Sequence, residues 1–122
     1  MGKHAFFSLS IHASGLEGVK IDAHEVKNDK NKNIKVADLV TQPIPYKDAT
    51  FDFVTAYDFL EHIPRLVYLK KKRIHPFIEL MNEIYRVLKP GGIFLAHTPA
   101  YPMQEAFQDP THVNIITEQT FP

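Results

Sequence analysis

Residues 86–92 read RVLKPGG and run directly into the apolar stretch IFLA at 93–96. Upstream, apolar residues recur at three- and four-residue steps after Pro76, which predicts the apolar face of a helix. That face contains Phe77, Leu80, Met81, Ile84, Tyr85 and Leu88. Lys89 suits the negative end of the helix, Pro90 ends it, and Gly91 or Gly92 can adopt a positive φ. The stretch therefore predicts a helix, a tight turn and a strand at 93–98.

Four further segments have the composition of strands. Residues that favour β-structure predict strands at 5–14, 19–22, 34–38 and 51–57, and a short helix is expected near Asp58. Strands that are joined by helices or tight loops predict an α/β fold with an open, mainly parallel sheet and flanking helices. In such sheets ligands bind outside the carboxyl ends of the strands, so strand-end residues are the first candidates for a site. We expect Phe51, Phe53, Phe77 and Leu80 to lie in the core.

Composition limits the classes of function. A chain of 122 residues predicts one domain over 1–122. Fourteen basic side chains balance fourteen acidic ones, so neither a nucleic acid nor a membrane surface is expected as a partner. There is no cysteine, and no apolar run approaches the roughly 20 residues that span a bilayer. The sequence therefore predicts a cytoplasmic protein.

Two aspartates at predicted strand ends have the chemistry to recognise a nucleoside. Asp22 can accept hydrogen bonds from both hydroxyls of a ribose, because a carboxylate offers two oxygens in one plane. Asp38 can accept from an adenine amine, while the backbone N–H of Leu39 donates to a ring nitrogen. The alternative is that each aspartate only caps the turn that follows it.

Three motifs occur in order between residues 38 and 92. ADL and PIPYKDATFDFVTAYDFLEHI contain an acidic strand end, an FD strand and LEH, and EIYRVLKPGG follows them. This order resembles the type 11 group of class I S-adenosylmethionine-dependent methyltransferases. The resemblance implies a Rossmann-like sheet, S-adenosylmethionine as methyl donor and a small-molecule acceptor. The cofactor-binding residues that it implies are Ala13, Ser14, Gly15, Asp22, Asp38, Leu39, Ala56, Tyr57 and Asp58.

Two departures from that family bear on the function. Only Ala13, Ser14 and Gly15 stand where the family has a glycine-rich turn, and the segment to Asp22 is too short for the usual helix. The two strands that usually follow strand five are also missing, so we expect an incomplete class I methyltransferase fold with strand five as an exposed edge. A second copy of the chain could cover that edge as a homodimer. The alternative function is therefore a non-catalytic methyltransferase-like module or fragment that acts through protein–protein contacts.

Polar residues past the fourth and fifth strands are candidates for the chemistry. Methyl transfer needs a nucleophile near attack distance and often a base, for which Glu61 and His62 are candidates. Their alternative role is to cap and orient the short helix. Asp109 and His112 are candidates for substrate contact, and we expect His97 to be a half-buried histidine whose hydrogen bonds are satisfied.

Metal binding and charge clustering receive simpler interpretations. Histidines and carboxylates are suitable metal ligands, but their spacing matches no dense ligand motif, so no metal is expected. Four basic residues at 70–73 are expected to form a solvated linker or the solvated face of a helix.

Overall fold

The computed structural model describes residues 8–13, 16–22 and 34–121. Within these residues, seven strands and one α-helix are joined by loops and two short 3₁₀ turns. The strands are β1 (Ser8–Ala13), β2 (Leu16–Asp22), β3 (Ile34–Val36), β4 (Phe51–Tyr57), β5 (Val67–Leu69), β6 (Lys72–Ile74) and β7 (Leu88–His97). Helix α1 is Pro76–Val87, and the 3₁₀ turns are Leu60–His62 and Gln104–Ala106.

Five strands form one sheet in the order β3-β2-β1-β4-β7, and β5 and β6 form a separate hairpin. The β2/β3 and β4/β7 pairs are parallel, whereas β1 is antiparallel to both of its neighbours. Four of the five strands in this sheet therefore run in one direction, which confirms the predicted mainly parallel α/β sheet. With β7 counted as the fifth strand, the order is that of the doubly wound Rossmann sheet.

The direction of β1 differs from the expectation of a parallel first strand. Only residues 14 and 15 separate Ala13 from its pairing partner Leu16. So short a connection makes an antiparallel hairpin, because a parallel crossover needs a dozen or more residues. Leu9 pairs with Ala56, and β1 then runs toward the amino end of β4, where His12 pairs with Phe53.

Helix α1 begins at Pro76, as the sequence predicts, and its residues Leu80, Ile84 and Val87 lie in the same buried cluster as residues of β4. Tyr85 was expected on this face but is 85% exposed, because it lies to one side of the buried row. The loop before β4 closes the end of the helix, since backbone N–H groups of residues 49 and 50 donate to the last helical carbonyls. In the described residues, no helix has the length and apolar character that crossing a bilayer requires.

The turn after α1 combines a helix end with a strand bulge. Leu88 already pairs with Phe51, whereas Ile93 pairs with Phe53, so residues 89–92 bulge out of the ladder and β7 begins five residues before the predicted start. Gly91 has a φ of 80°, which is the reversal that the sequence requires of one of the two glycines. At Gly92 a Cβ atom would lie 2.8 Å from the Lys89 carbonyl oxygen, so no side chain fits there.

The basic run forms the tip of the β5–β6 hairpin and is neither a linker nor a helix. Lys70 and Lys71 have φ values of 49° and 65°, as in the two-residue turn that matches the twist of a hairpin. Both lysines are exposed, so their charge is solvated as the sequence predicts.

Candidate functional site

The parallel strands β4 and β7 end side by side, with Tyr57 paired to His97. Just beyond them the Asp58 backbone N–H donates to the His97 carbonyl over 2.8 Å, and Asp58 Oδ1 lies 3.2 Å from His97 Nδ1. Asp58 has a φ of 51°, a left-handed conformation that few residues other than glycine, asparagine and aspartate adopt. The His97 side chain is 69% exposed, so the expectation of a half-buried histidine was wrong. Side chains alternate along the strand, and His97 shares the exposed face of β7 with Ile93 and Leu95.

The predicted nucleoside-binding positions lie along the same edge of the sheet. Asp22 ends β2 in register with Val36, and Asp38 follows two residues after Val36. Asp38 Oδ1 accepts from the Val40 N–H over 3.1 Å, so this carboxylate does cap the turn that follows it. Leu39 and Ala56 are buried in the core.

The remaining predicted cofactor positions do not join this group. Because β1 is antiparallel to β4, Ala13 lies at the opposite edge of the sheet from Tyr57. This corrects the expectation that the first strand ends beside the fourth. Ser14 and Gly15 lie outside the described residues.

Glu61 supplies a buried carboxylate directly after β4. Its side chain is 2% exposed, and its Oε2 accepts from the Thr98 hydroxyl over 2.7 Å. Among the described residues, nothing forms a hydrogen bond with Glu61 Oε1. Burying a carboxylate oxygen without a hydrogen bond costs free energy, so the burial of this atom needs a physical reason.

His62 is held by the loop that carries Thr111. Its Nδ1 lies 3.0 Å from the Thr111 carbonyl oxygen and 3.1 Å from the Thr111 hydroxyl. Because a carbonyl oxygen can only accept, we assign the ring proton to Nδ1. His62 Nε2 then lies 3.6 Å from Glu61 Oε1. Burial lowers the pKa of His62 and outweighs the opposing effect of Glu61, which favours the neutral ring.

Asp109 and His112 come to the same place from the far end of the chain. Asp109 Oδ1 accepts from the Thr111 N–H and hydroxyl over 2.8 and 2.7 Å, which holds the pKa of Asp109 below its usual range. Asp109 Oδ2 lies 3.8 Å from His112 Nε2, and the His112 ring lies edge-on to His62 with 4.8 Å between ring centres. His112 Nδ1 is buried and has no hydrogen-bond partner in the described part of the chain.

The two predicted catalytic residues and the two predicted substrate-contact residues therefore form one group. We call Glu61, His62, Asp109 and His112 the histidine–carboxylate cluster. From the sequence, the Glu61–His62 pair and the Asp109–His112 pair are separate predictions, because about 50 residues lie between them.

Backbone hydrogen bonds hold this cluster together. The Glu61 carbonyl accepts from the N–H groups of Val113 and Asn114 over 2.9 and 3.0 Å, and Asn114 is buried against the 3₁₀ turn. Arg65 binds Asn114 Oδ1 and also donates to the Ile115 carbonyl over 2.7 Å. Thr98 is a strand-end candidate from the sequence without an assigned role, and no role is predicted for Thr111 or Asn114. The Asp-x-Thr spacing of 109–111, which favours an Asx turn, was the available signal.

An open, mainly parallel α/β sheet with polar groups at the carboxyl ends of its strands defines a Rossmann-like ligand-binding domain. The family model described as "Methyltransferase domain", of the type 11 group, matches residues 5–96. The chain therefore belongs to this methyltransferase domain family. The matched segment includes Glu61 and His62, whereas Asp109 and His112 follow it.

Curated relatives are also methyltransferases by name. The chain is 34% identical over 90 residues to Sterol 4-C-methyltransferase strm-1 of Caenorhabditis elegans, covering 67% of this chain and 24% of that protein. It is 28% identical over 85 residues to Demethylmenaquinone methyltransferase of Listeria welshimeri, covering 66% and 31%. Squalene methyltransferase 1 of Botryococcus braunii is 33% identical over 95 residues, covering 69% and 22%.

These alignments cover unequal shares of the proteins. The chain spans about a quarter to a third of the length of these relatives. No solved structure gave a significant match.

Proposed function

We propose that this chain is the core of an S-adenosylmethionine-dependent methyltransferase that acts on a small-molecule acceptor. The observation that carries the proposal is the histidine–carboxylate cluster past the end of β4, with its buried Glu61 carboxylate, in a chain of the methyltransferase domain family. Ligands of open α/β sheets bind at this end of the strands.

The cofactor side of the proposal uses the residues at the same edge of the sheet. Asp22 would bind the ribose hydroxyls, and Asp38 with the Leu39 N–H would bind the adenine. The methionine part would lie along Ala56, Tyr57 and Asp58. Support comes from the β2/β3 and β4/β7 registers, which bring these strand ends to one edge. Ala13 is not included, because its strand ends at the other edge.

The acceptor side uses the histidine–carboxylate cluster. Methyl transfer requires the nucleophilic group of the acceptor to be held in line with the methyl carbon, near attack distance. Glu61 Oε1 is a hydrogen-bond acceptor with no partner among the described residues, so it can orient a hydroxyl or amine. His62 lies beside it, and Asp109 and His112 would contact the rest of the acceptor.

We further propose that the acceptor is largely apolar. The named relatives act on a sterol, a demethylmenaquinone and squalene, by their names. In this chain the segment between β7 and the cluster exposes large apolar side chains. They are Tyr101, Met103, Phe107 and Val113, each more than half exposed. An apolar acceptor would remove these surfaces from water.

Titration calorimetry with S-adenosylmethionine and S-adenosylhomocysteine tests the cofactor proposal. We expect micromolar binding by the parent, weakened by about 1–3 kcal/mol in Asp22→Ala and Asp38→Ala, because ligand groups lose buried partners. Asp48→Ala is the matched control, since Asp48 is 80% exposed and lies at the far end of the β3–β4 connection, next to the amino end of β4. Absence of binding by the folded parent, or equal binding by all the variants, would overturn the proposal.

A second candidate function is supported by the outer strand of the sheet. Strand β7 is the last in the described strand order, and its Ile93 and Leu95 are 57% and 45% exposed. Such an edge can pair with a second copy of the chain in a non-catalytic module. Size-exclusion chromatography with light scattering tests this candidate. A dimer that Leu95→Lys dissociates, together with no cofactor binding, would favour it, whereas a monomer at high concentration would exclude it.

A further inference from the structure

We propose that the histidine–carboxylate cluster binds one divalent transition-metal cation of the zinc class, with Glu61, His62 and His112 as ligands. One ligand atom from each of these three residues lies within 4.8 Å of the other two. Two imidazole nitrogens and one carboxylate oxygen form a donor set that suits Zn²⁺ and related cations. Mg²⁺ and Ca²⁺ prefer sets made of oxygens alone.

Two buried ligand atoms of the cluster lack hydrogen-bond partners among the described residues. Glu61 Oε1 and His112 Nδ1 form no hydrogen bond within the described residues, and their side chains are only 2% and 10% exposed. Burying such atoms without a partner is unfavourable. A single cation between them would satisfy both atoms at once.

Neighbouring polar groups surround the three ligand side chains, as they do in metal sites. Histidine ligands usually donate their other ring N–H to a carbonyl or a carboxylate. His62 Nδ1 has the Thr111 carbonyl at hydrogen-bond distance, 3.0 Å, whereas Asp109 Oδ2 lies 3.8 Å from His112 Nε2, which is a neighbouring charge and not a hydrogen bond. The Thr98 hydroxyl binds Glu61 Oε2 over 2.7 Å, which leaves Oε1 turned toward the histidines.

The distances between the ligand atoms are close to those that a zinc site requires. Zinc bonds of about 2.0–2.1 Å in a tetrahedral site separate neighbouring ligand atoms by about 3.3 Å. Glu61 Oε1 and His62 Nε2 are already 3.6 Å apart. No two atoms of the set are more than 4.8 Å apart, so binding a cation would require the widest spacing to shorten by at most roughly 1.5 Å.

Three protein ligands leave one tetrahedral position open. Open zinc positions take a water or an oxygen of the substrate, and structural zinc sites are closed by a fourth protein ligand. With the cation bound, an acceptor oxygen would take this open position instead of a hydrogen bond to Glu61 Oε1. Cation binding itself does not depend on the methyl transfer, because all its ligands belong to this chain.

Titration of the metal-free protein with ZnCl₂, followed by calorimetry and by metal content after dialysis, tests the inference without any cofactor. We expect one Zn²⁺ per chain, and a loss of affinity of at least about tenfold in Glu61→Gln and in His112→Phe. The phenylalanine keeps the volume of the ring, and circular dichroism verifies that each variant is folded. MgCl₂ should give no comparable signal.

The matched control is His75→Gln, which removes an exposed histidine away from the cluster. It should bind Zn²⁺ as the parent does. If the folded parent binds no Zn²⁺, or if Glu61→Gln and His112→Phe bind it as tightly as the parent, the inference is wrong. Binding lost in His75→Gln instead would assign the cation to the surface and would also overturn it. Calorimetry with S-adenosylmethionine on the same protein keeps the two proposals separate.

Discussion

Arg86 and Glu61 are both charged groups that join distant segments of the chain, but their surroundings differ. Each of the five guanidinium N–H groups of Arg86 has an acceptor: Glu83 takes two, and the Ile44 carbonyl, the Tyr46 carbonyl and Asp48 take one each, over 2.7–2.9 Å. We call this network the arginine clamp. It joins α1 to the loop before β4. In the histidine–carboxylate cluster, by contrast, two buried atoms have no partner among the described residues.

The difference separates a structural role from a functional one. A fully satisfied network stabilises the fold and has no capacity left for a ligand. Buried polar atoms without partners cost stability, and they persist where a ligand compensates for them or where function requires them. The Arg86 of the RVLKPGG motif is therefore structural, whereas the cluster keeps two buried atoms whose bonding capacity a ligand could use.

Arg86→Ala should have the largest effect on stability. Its loss removes two of the three donors to the Glu83 carboxylate and the donors to two loop carbonyls, so the free energy of unfolding should fall by about 2–4 kcal/mol. Urea denaturation measures this change. Arg73→Ala in the exposed hairpin should change stability by no more than about 0.5 kcal/mol. Equal effects in the two variants would remove the distinction between clamp and surface.

The arginine clamp should also make stability depend on pH. Hydrogen bonds from Arg86 hold the pKa of Glu83 below its ordinary value of about 4.3. A lowered carboxyl pKa in the folded state contributes stability above the ordinary value, and that contribution is lost as the pH falls through the folded pKa. Glu83→Gln should therefore cost about 1–2 kcal/mol at pH 7 and less near pH 3. A cost that is the same at both pH values in urea denaturation would contradict this.

Glu61→Gln should raise the stability of the metal-free protein, in contrast to the two substitutions in the clamp. The amide keeps an oxygen for the Thr98 hydroxyl, removes the buried charge and can donate to His62, so metal-free stability should rise by about 1 kcal/mol. Thermal and urea unfolding provide the measurement, and Glu79→Gln on the exposed side of α1 is the control. Destabilisation by Glu61→Gln would show that the cluster is a structural network like the clamp.

Asp48→Asn should have the smallest effect. Asp48 is the most exposed member of the clamp, with 80% of its side chain in solvent, and exposed ion pairs contribute little. We expect a change below about 0.5 kcal/mol in urea denaturation. A loss above about 1 kcal/mol would mean that the clamp depends on its solvated charge more than on its buried carbonyl contacts.

Local patterns predicted the elements that depend on local chemistry. Strand β4 has the predicted bounds, and α1 begins at Pro76 because proline fits the first turn of a helix. The direction of β1 was missed, although the two-residue connection after Ala13 contained the reason. The early start of β7 depends on its register with Phe51, which no local pattern contains.

The candidate site was predicted in pieces. Glu61, His62, Asp109 and His112 were each identified from residue type and position, but their contact depends on how the tail returns to the 3₁₀ turn. Backbone N–H groups of Val113 and Asn114 hold the tail there by donating to the Glu61 carbonyl. Because every residue type has these backbone groups, the amino-acid sequence does not predict such bonds. The proximity of Glu61, His62 and His112 could not be predicted for the same reason, because spacing along the chain does not determine it.

Unfolding of the parent, Glu83→Gln and Glu61→Gln with and without ZnCl₂ is the most direct test of the difference between the clamp and the cluster. At a free Zn²⁺ concentration 100 times the Kd, a ligand that binds only the folded state adds about 2.7 kcal/mol. We expect this increment in the parent and in Glu83→Gln, whose damage is confined to the clamp, and a much smaller one in Glu61→Gln. No increment in the parent, or the same increment in Glu61→Gln, would contradict the account.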